Sequence, residues 1–277
     1  MMTVMLTFKK LAARGMIKMD YDTKKHIIES LDKGVRYDGR KKDQFRNIEI
    51  KTGVIETAEG SAYVKCGNTE VIAGVKMTVE KPFPDTPEEG ILMVGAELYP
   101  MSNPKYESGP PDIKAIEVAR VIDRGIRESK SLDNKRLCVT AGEKVWTINV
   151  DISPLNDDGN LIDVGSMAAV AAILSAKFPK YENGKVDYHV KTEESLPFNK
   201  LPVAITVLKL GNHLIVDPAE QEQDAVDARL TVTTLEDGQI CAMQKGGDGP
   251  LSIEDVDKMM TLAMVKAEEI RKLIKTL

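Results

Sequence analysis

Between positions 113 and 130 the chain reads IKAIEVARVIDRGIRESK, and apolar Ala115, Val118, Ile122 and Ile126 recur three or four residues apart. Arg120, Arg124 and Arg127 recur at the same spacing on the opposite side, which predicts an amphipathic helix with an arginine face. Asp112 stands where the cap of that helix belongs. A second helix is predicted over 21–34, from Ile27, Ile28 and Leu31 to a closing Gly34, and a third, alanine-rich, over about 162–176. A fourth closes the chain, with Ser252 as its cap and Asp255 three residues on in the manner of a capping box.

Elsewhere the period drops to two. NIEIKTGVI, GSAYVKCG and TEVIAGVKMTVE alternate as strands do, and Gly67-Asn68 between the last two predicts a hairpin. GILMVGAELYP is a strand between two proline-rich loops, and KVWTINVDISPL reads as a buried strand, with Trp146 expected in the core. The last third begins again with VAITVLKLG, HLIVDP, ARLTVTTLEDG and ICAMQKGG, with Asp237-Gly238 as a turn. YVKCGNTEVIAGVK and VLKLGNHLIVDP share a pattern, which suggests a duplicated unit of sheet plus helices. The expected organisation is an α/β (α+β) domain over 21–277, its halves about 36–176 and 200–277. A polar linker over about 177–199, with room for a short hairpin, joins them, and residues 1–20 form an N-terminal extension.

Composition narrows the class. With 277 residues, 42% hydrophobic and 29% charged, the chain can build a sizeable core, and aromatics at 5% leave that core to aliphatic packing. A net charge of −5 argues against coating duplex nucleic acid, so any nucleic acid must be met by a local patch or beside a partner. Cys66, Cys138 and Cys241, and His26, His189 and His213, are scattered, so neither a disulfide framework nor a zinc site is expected and a reducing cytoplasm suits the chain. No run of about 18 apolar residues predicts a membrane span, and MMTVMLTF is short for a signal-peptide core. No metal or cofactor is expected.

LNDDGNLIDVGS, from 155, is a strand end, an acidic turn with a glycine, and a helix start, the layout with which many proteins hold phosphate. Here the turn offers carboxylates instead of a cation. Asp157, Asp158 and Asp163 can serve simply to cap and complement the following helix. Glu220, Asp224 and Asp227, spaced i, i+4 and i+7, read as a solvated helix face.

VRYDGRKKDQFRNIEI, AEGSAYVKCGNTEVIAGVK, ESGPPDIKAIEVARVIDRGIRES and NDDGNLIDVGSMAAVAAIL, in this order, resemble the RNase PH family, and the resemblance runs from about Lys33 to the C-terminus. It implies a duplicated β-α fold and phosphorolytic 3′-to-5′ shortening of RNA. Within the family the chain is most similar to the larger, non-catalytic subunit type of the archaeal exosome core. That implies a hexameric ring of three heterodimers with a catalytic RNase-PH-like paralogue, RNA-binding cap subunits on one face, and single-stranded RNA as the bound polymer.

The resemblance also says what is altered. Catalytic members carry Asp-Gly-Gly-Ser/Thr-Arg in the phosphate loop, whereas this chain has Asp158-Gly159-Asn160-Leu161-Ile162, without the hydroxyl or the guanidinium. They place two aspartates six residues apart further on, where this chain has Asp217 and Gln223, an amide that cannot ionise. Arg120 and Arg124 match arginines that contact RNA phosphates beside the paralogue's active site, and Arg127 continues their face. The expectation is a subunit that helps bind RNA for a neighbour's catalysis. Two alternatives stay open: an active phosphorolytic exoribonuclease that recruits Asp224 through a bulge, and a metalloenzyme using Asp151, Asp157 and Asp158.

Overall fold

The computed structural model describes residues 21–277; the expected N-terminal extension over 1–20 lies outside the described residues. The alternating segments form a six-stranded sheet from β1 (Ile48–Thr52), β2 (Gly60–Cys66), β3 (Thr69–Glu80), β4 (Ile91–Ala96), β5 (Cys138–Thr140) and β6 (Lys144–Asn156). Its order is β1-β2-β3-β6-β4, with β5 also paired to β6, and only the β4–β6 pair is parallel. Along β3 the side chains alternate between buried and half-buried, the signature of one covered face.

What covers that face is a helix. Here α1 (Tyr21–Asp32) and α2 (Ile113–Glu128) precede α3 (Leu161–Ser175), in which every residue from Leu161 to Ile173 is buried. Apolar on all sides, α3 has no solvent face and must lie between layers. It packs on β2, β3 and β6 of the first sheet and on β9 (Val203–Leu210) of a second. At Gly60 a Cβ would meet the carbonyl oxygen of Ala172 at 2.3 Å, so strand and helix approach as closely as they do only because that position is glycine. The second sheet is four-stranded and antiparallel, ordered β10-β9-β11-β12, with β10 (His213–Val216), β11 (Ala228–Thr234) and β12 (Ile240–Gly246). The short α4 (Glu220–Asp224) follows β10, and α5 (Ile253–Ile274) packs on β9 and β11.

Several expectations hold in detail. Asp112 caps α2, its carboxylate accepting the N–H of Ala115 at 2.7 Å. Ser252 and Asp255 exchange the two hydrogen bonds of a capping box, both at 3.0 Å. The two similar stretches both form hairpins, β2–β3 around Gly67-Asn68 and β9–β10 around Gly211-Asn212. Trp146 is in the core, its ring 5.5 Å from Phe178 and 5.7 Å from Tyr181.

The hairpin for which the linker has room is present and fills most of residues 177–199 as a two-stranded ribbon, β7 (Lys177–Glu182) against β8 (Lys185–Ser195). Phe178 and Tyr181 anchor β7 to Trp146. One expectation is corrected: Glu220, Asp224 and Asp227 do not share a helix face, because α4 stops at Asp224. Asp227 lies beyond it and accepts from Lys24 Nζ at 2.5 Å and Gly211 N at 2.7 Å.

Candidate functional site: a closed anion loop and an open arginine face

The loop from β6 to α3 folds against the turn after β10. Gly159 has φ +86°, and a Cβ there would meet Pro218 O at 2.5 Å, so glycine is required both for the backbone conformation and for the close approach. Asn160 follows at φ +62° and caps α3 without a side-chain cap bond. Its backbone N–H donates to Gln223 Oε1 at 2.9 Å. The N–H group that an anion would use at this helix start is thus engaged by a neutral amide.

Of the three acids expected to cap and complement α3, Asp163 lies in its first turn, whereas Asp157 and Asp158 bond elsewhere. Asp157 turns inward: Oδ1 accepts from Gly159 N at 3.0 Å, and Oδ2 accepts from the Tyr106 hydroxyl and from Lys114 Nζ at 3.1 Å. Burial, followed by the charge and hydrogen bond of Asp157, raises the Tyr106 phenol. Asp158 accepts from Asn68 Nδ2 at 3.2 Å and lies 3.5 Å from Arg46. Asp163 accepts the N–H of Thr206 at 3.0 Å across the layer interface.

Asp217 is fully buried and carries φ +45°. Arg46 grips it through its backbone N at 2.7 Å, Nε at 2.9 Å and NH2 at 2.8 Å; Arg40 NH1 adds a bond at 2.8 Å and Asn160 Nδ2 another at 2.9 Å. Burial opposes ionisation of Asp217, but the bonds and charge of Arg46, with Arg40 behind, outweigh it and hold the carboxyl below its usual range. Arg46 also donates to the carbonyls of Asp158 at 2.9 Å and Gly159 at 3.2 Å. The loop and Asp217 are therefore joined by one guanidinium. Beneath them Arg36, its side chain fully buried, forms a fork with Glu222 at 2.8 and 2.5 Å and donates to Asp217 O at 2.8 Å.

Sequence reasoning missed Arg36, Arg40 and Arg46. The buried carboxylates they hold, Glu222 and Asp217, lie 171 to 186 residues away. The available signal was the basic run VRYDGRKKDQFR in an acidic chain, whose local pattern shows only a turn.

A cavity of about 160 Å³ remains beside the loop, with Asn160, Leu161, Ile162 and Gln223 among its walls. Lys114 and Arg229 also reach it, but Lys114 is engaged with Asp157 and Arg229 NH2 lies 2.5 Å from Glu117. Leu161 and Ile162 give this cavity an apolar wall. Asp224, the alternative acid, pairs with Lys105, as does Glu220 at 2.9 Å. Among the described residues no group of three or more His, Cys, Asp or Glu is placed to hold a metal. Asp217 is saturated by donors and Gln223 Oε1 by a backbone N–H, so this pair does not suit a divalent cation. Asp151, Asp157 and Asp158 are not brought together as a ligand set either. Burial and the charge of Glu97 raise the Asp151 carboxyl, in the cleft beside β4.

The predicted arginine face exists: Arg120, Arg124 and Arg127 are exposed along α2, with Ala115, Val118, Ile122 and Ile126 buried beneath them. The three are not equivalent. Arg127 is held by Asp123 at 2.7 and 3.0 Å and by Leu92 O at 2.9 Å, and the hydrogen bond to Asp123 raises its pKa. Arg120 and Arg124 make no ion pair among the described residues. Arg120 borders a cleft of about 610 Å³ between α2 and β4, with Met93 and Ile116 exposed in it. None of the three arginines lines the cavity beside the closed loop.

Comparison with known proteins places this geometry. Residues 44–179 match domain 1 of a 3′ exoribonuclease family, RNase PH, and residues 200–266 match domain 2. The chain is 43% identical over 250 residues to the exosome complex component Rrp42 of Methanothermobacter thermautotrophicus, covering 90% of this chain and 92% of the relative. It is 47% identical over 253 residues to the protein of the same name from Pyrococcus abyssi, with the same coverage of 90% and 92%. A solved structure described as Archaeoglobus fulgidus exosome with RNA bound to the active site superposes with a TM-score of 0.85 at 43% identity, over 90% of this chain and 96% of that one. Rice Rrp46, at 19% identity and TM-score 0.65, shares the fold.

Proposed function

Because the chain belongs to the RNase PH family of 3′ exoribonucleases, we propose that it is a ring subunit of an archaeal exosome core, without phosphorolytic activity of its own, that binds RNA for a catalytic paralogue. The observation that carries the non-catalytic reading is the closure of the loop: Gln223 occupies the Asn160 N–H and Arg46 ties the loop to a saturated Asp217.

The energetics support this reading. A charge-assisted contact contributes about 1.5–3 kcal/mol, so the missing guanidinium alone weakens phosphate about 10- to 100-fold. A helix N-terminus contributes about 0.3–1 kcal/mol, and here its first donor is engaged. Asp157 and Asp158 engage Lys114 and Arg46, which keeps both cations from a phosphate at the loop. The acid function is lost as well, since Asp217 is held ionised among arginines and Gln223 carries no titrating proton.

Arg120 and Arg124 supply what such a subunit retains. An exposed guanidinium stays charged and offers a planar fork to phosphate oxygens, and two of them on one helix face grip a single strand without reading its bases. In this proposal three copies alternate with three of the paralogue in a hexameric ring, RNA-binding cap subunits cover one face, and the assembly works in the cytoplasm. No helix of the described residues is long and apolar enough to cross a membrane. The test is co-assembly with the paralogue, followed by RNA degradation in phosphate with either subunit's site residues replaced. Activity that survives changes at Asp217 and Gln223 here, and is abolished by changes in the paralogue, supports the proposal; the reverse pattern overturns it. The alternative, in which Asp224 serves as the acid, finds that carboxylate paired with Lys105.

A further inference from the structure

β4 ends the first sheet, and one of its edges has no strand beside it among the described residues. In a parallel pair a residue directs both its N–H and its C=O to one side, and the next residue directs them to the other. Glu97 N donates to Ile152 O at 3.0 Å, so the odd positions of β4 serve β6. Leu92 O accepts from Arg127 instead, so the even positions face away from β6. Val94 and Ala96 therefore aim their N–H and C=O groups outward, and among the described residues these groups make no hydrogen bond. Proteins usually blunt such an edge with a proline, a lysine or a bulge. β4 reads ILMVGA in unbroken register and has none of these.

The side chains divide by the same alternation. Val94 packs against the core and shares the cleft of about 610 Å³ with the exposed Ile116 of α2. Met93 and Glu97, both exposed, belong to the opposite face of the strand. Asp151 is on that face too: β6 pairs it with Gly95, where a Cβ would meet Asp151 Oδ1 at 3.4 Å. Groups from both faces of β4 line the cleft, so it runs along the open edge. Neither acid makes an ion pair among the described residues; Glu97 accepts only from the Tyr99 hydroxyl. Arg120 and Arg127 also border the cleft, but Arg127 is held by Asp123 and Arg120 lies beyond ion-pair distance of both acids. The cleft thus combines unpaired strand groups, an apolar side and an uncompensated acidic side.

We propose that the β4 edge is the docking site for an extended segment of a partner protein in which apolar and basic residues alternate. Its backbone continues the sheet through the free groups of Val94 and Ala96. Its apolar side chains turn toward Val94 and Ile116, and its basic side chains turn toward Glu97 and Asp151. In such strand addition the main-chain bonds supply affinity and the alternate side-chain contacts supply specificity. RNA suits this cleft less, because two carboxylates without a cation repel phosphate. A second copy of this chain suits it less as well, since pairing β4 with β4 would set two such acid pairs against each other. The inference goes beyond the RNA-binding reading and does not depend on it.

The test uses the full chain and three probes: a synthetic peptide of alternating valine and lysine long enough to span β4, the same peptide with glutamate in place of lysine, and oligo(A). Amide hydrogen exchange at Val94 and Ala96 is followed by NMR, and affinity by fluorescence anisotropy of the labelled probe. The valine–lysine peptide is expected to bind and to protect both amides, and the valine–glutamate peptide is not. Val94→Pro removes one outward donor, at an edge position where proline costs no bond to β6, and is expected to abolish the protection at Ala96. Asp151→Asn and Glu97→Gln leave the backbone intact and are each expected to weaken the valine–lysine peptide by up to about fivefold; they carry the test even if the proline variant folds poorly. Four results overturn the proposal. They are equal protection by the valine–glutamate peptide, protection by oligo(A), protection that rises with protein concentration in the absence of peptide, and binding of the valine–lysine peptide that leaves both amides exchanging freely.

Discussion

Gln223 Oε1 accepts the backbone N–H of Asn160 at 2.9 Å, linking the loop at the start of α3 to the short helix α4. Residues 160–162 and 223 lie far apart in sequence, yet in the fold one answers the other. An acid at 223 would place a carboxylate at this helix start; an amide completes the turn without charge.

Replacing Gln223 by alanine leaves the Asn160 N–H without its partner. We expect a loss of about 1–3 kcal/mol in urea-induced unfolding of the full chain, and no gain of phosphorolysis, since the hydroxyl and guanidinium of the loop are still missing.

Arg46→Met removes the main counter-charge of a fully buried Asp217. Breaking a buried pair by deleting one partner costs about 3–5 kcal/mol. The double variant R46M/D217N removes the stranded charge as well, so it is expected to recover much of that loss. Denaturation midpoints of the wild type, both single variants and the double variant give the coupling.

The same pair sets acid sensitivity. Because Asp217 is held below the ordinary carboxylate range, its contribution is present above about 3.9 and is lost as pH falls through its lower folded value. Asp255, held down to about 2 by the hydrogen bond from Lys209 and those at its capping box, behaves in the same direction. D217N is expected to be less stable than wild type at neutral pH, with the difference shrinking toward the acid limb.

On α2, Arg120→Glu with Arg124→Glu is expected to weaken RNA binding by the assembled ring. Each lost single-strand phosphate contact lowers the salt slope by about 0.7, so the pair lowers it by about 1.4. Arg127→Glu is expected to do less to RNA, because that guanidinium is already held by Asp123 and Leu92 O. Ring formation, measured by native mass spectrometry, separates binding from assembly.

Local chemistry carried the elements. Asp112, Ser252 and Gly67-Asn68 act through neighbours a few residues away, and their effects were legible in the sequence. So was the arginine face, a matter of period alone. The ribbon over 177–195 is harder to see because polar Lys, Glu and Asp residues hide the few aromatic anchors that seat it on Trp146. Most of the site's wiring was invisible for another reason. Arg36, Arg40 and Arg46 act on Glu222 and Asp217 across the whole fold, and no local pattern announces which carboxylate a distant arginine will meet. Asp163 reads in the sequence as a helix-start acid, but its acceptor role reaches across to β9.

The central claim is that the phosphate site of this polypeptide is closed by its own side chains. It is tested most directly by incubating the purified chain alone with phosphate and oligo(A), beside the ring reassembled with its paralogue. The account predicts nucleoside diphosphate release from the ring and none above background from the chain. Release by the chain alone at a rate comparable to the ring, abolished by Asp217→Asn, would contradict it.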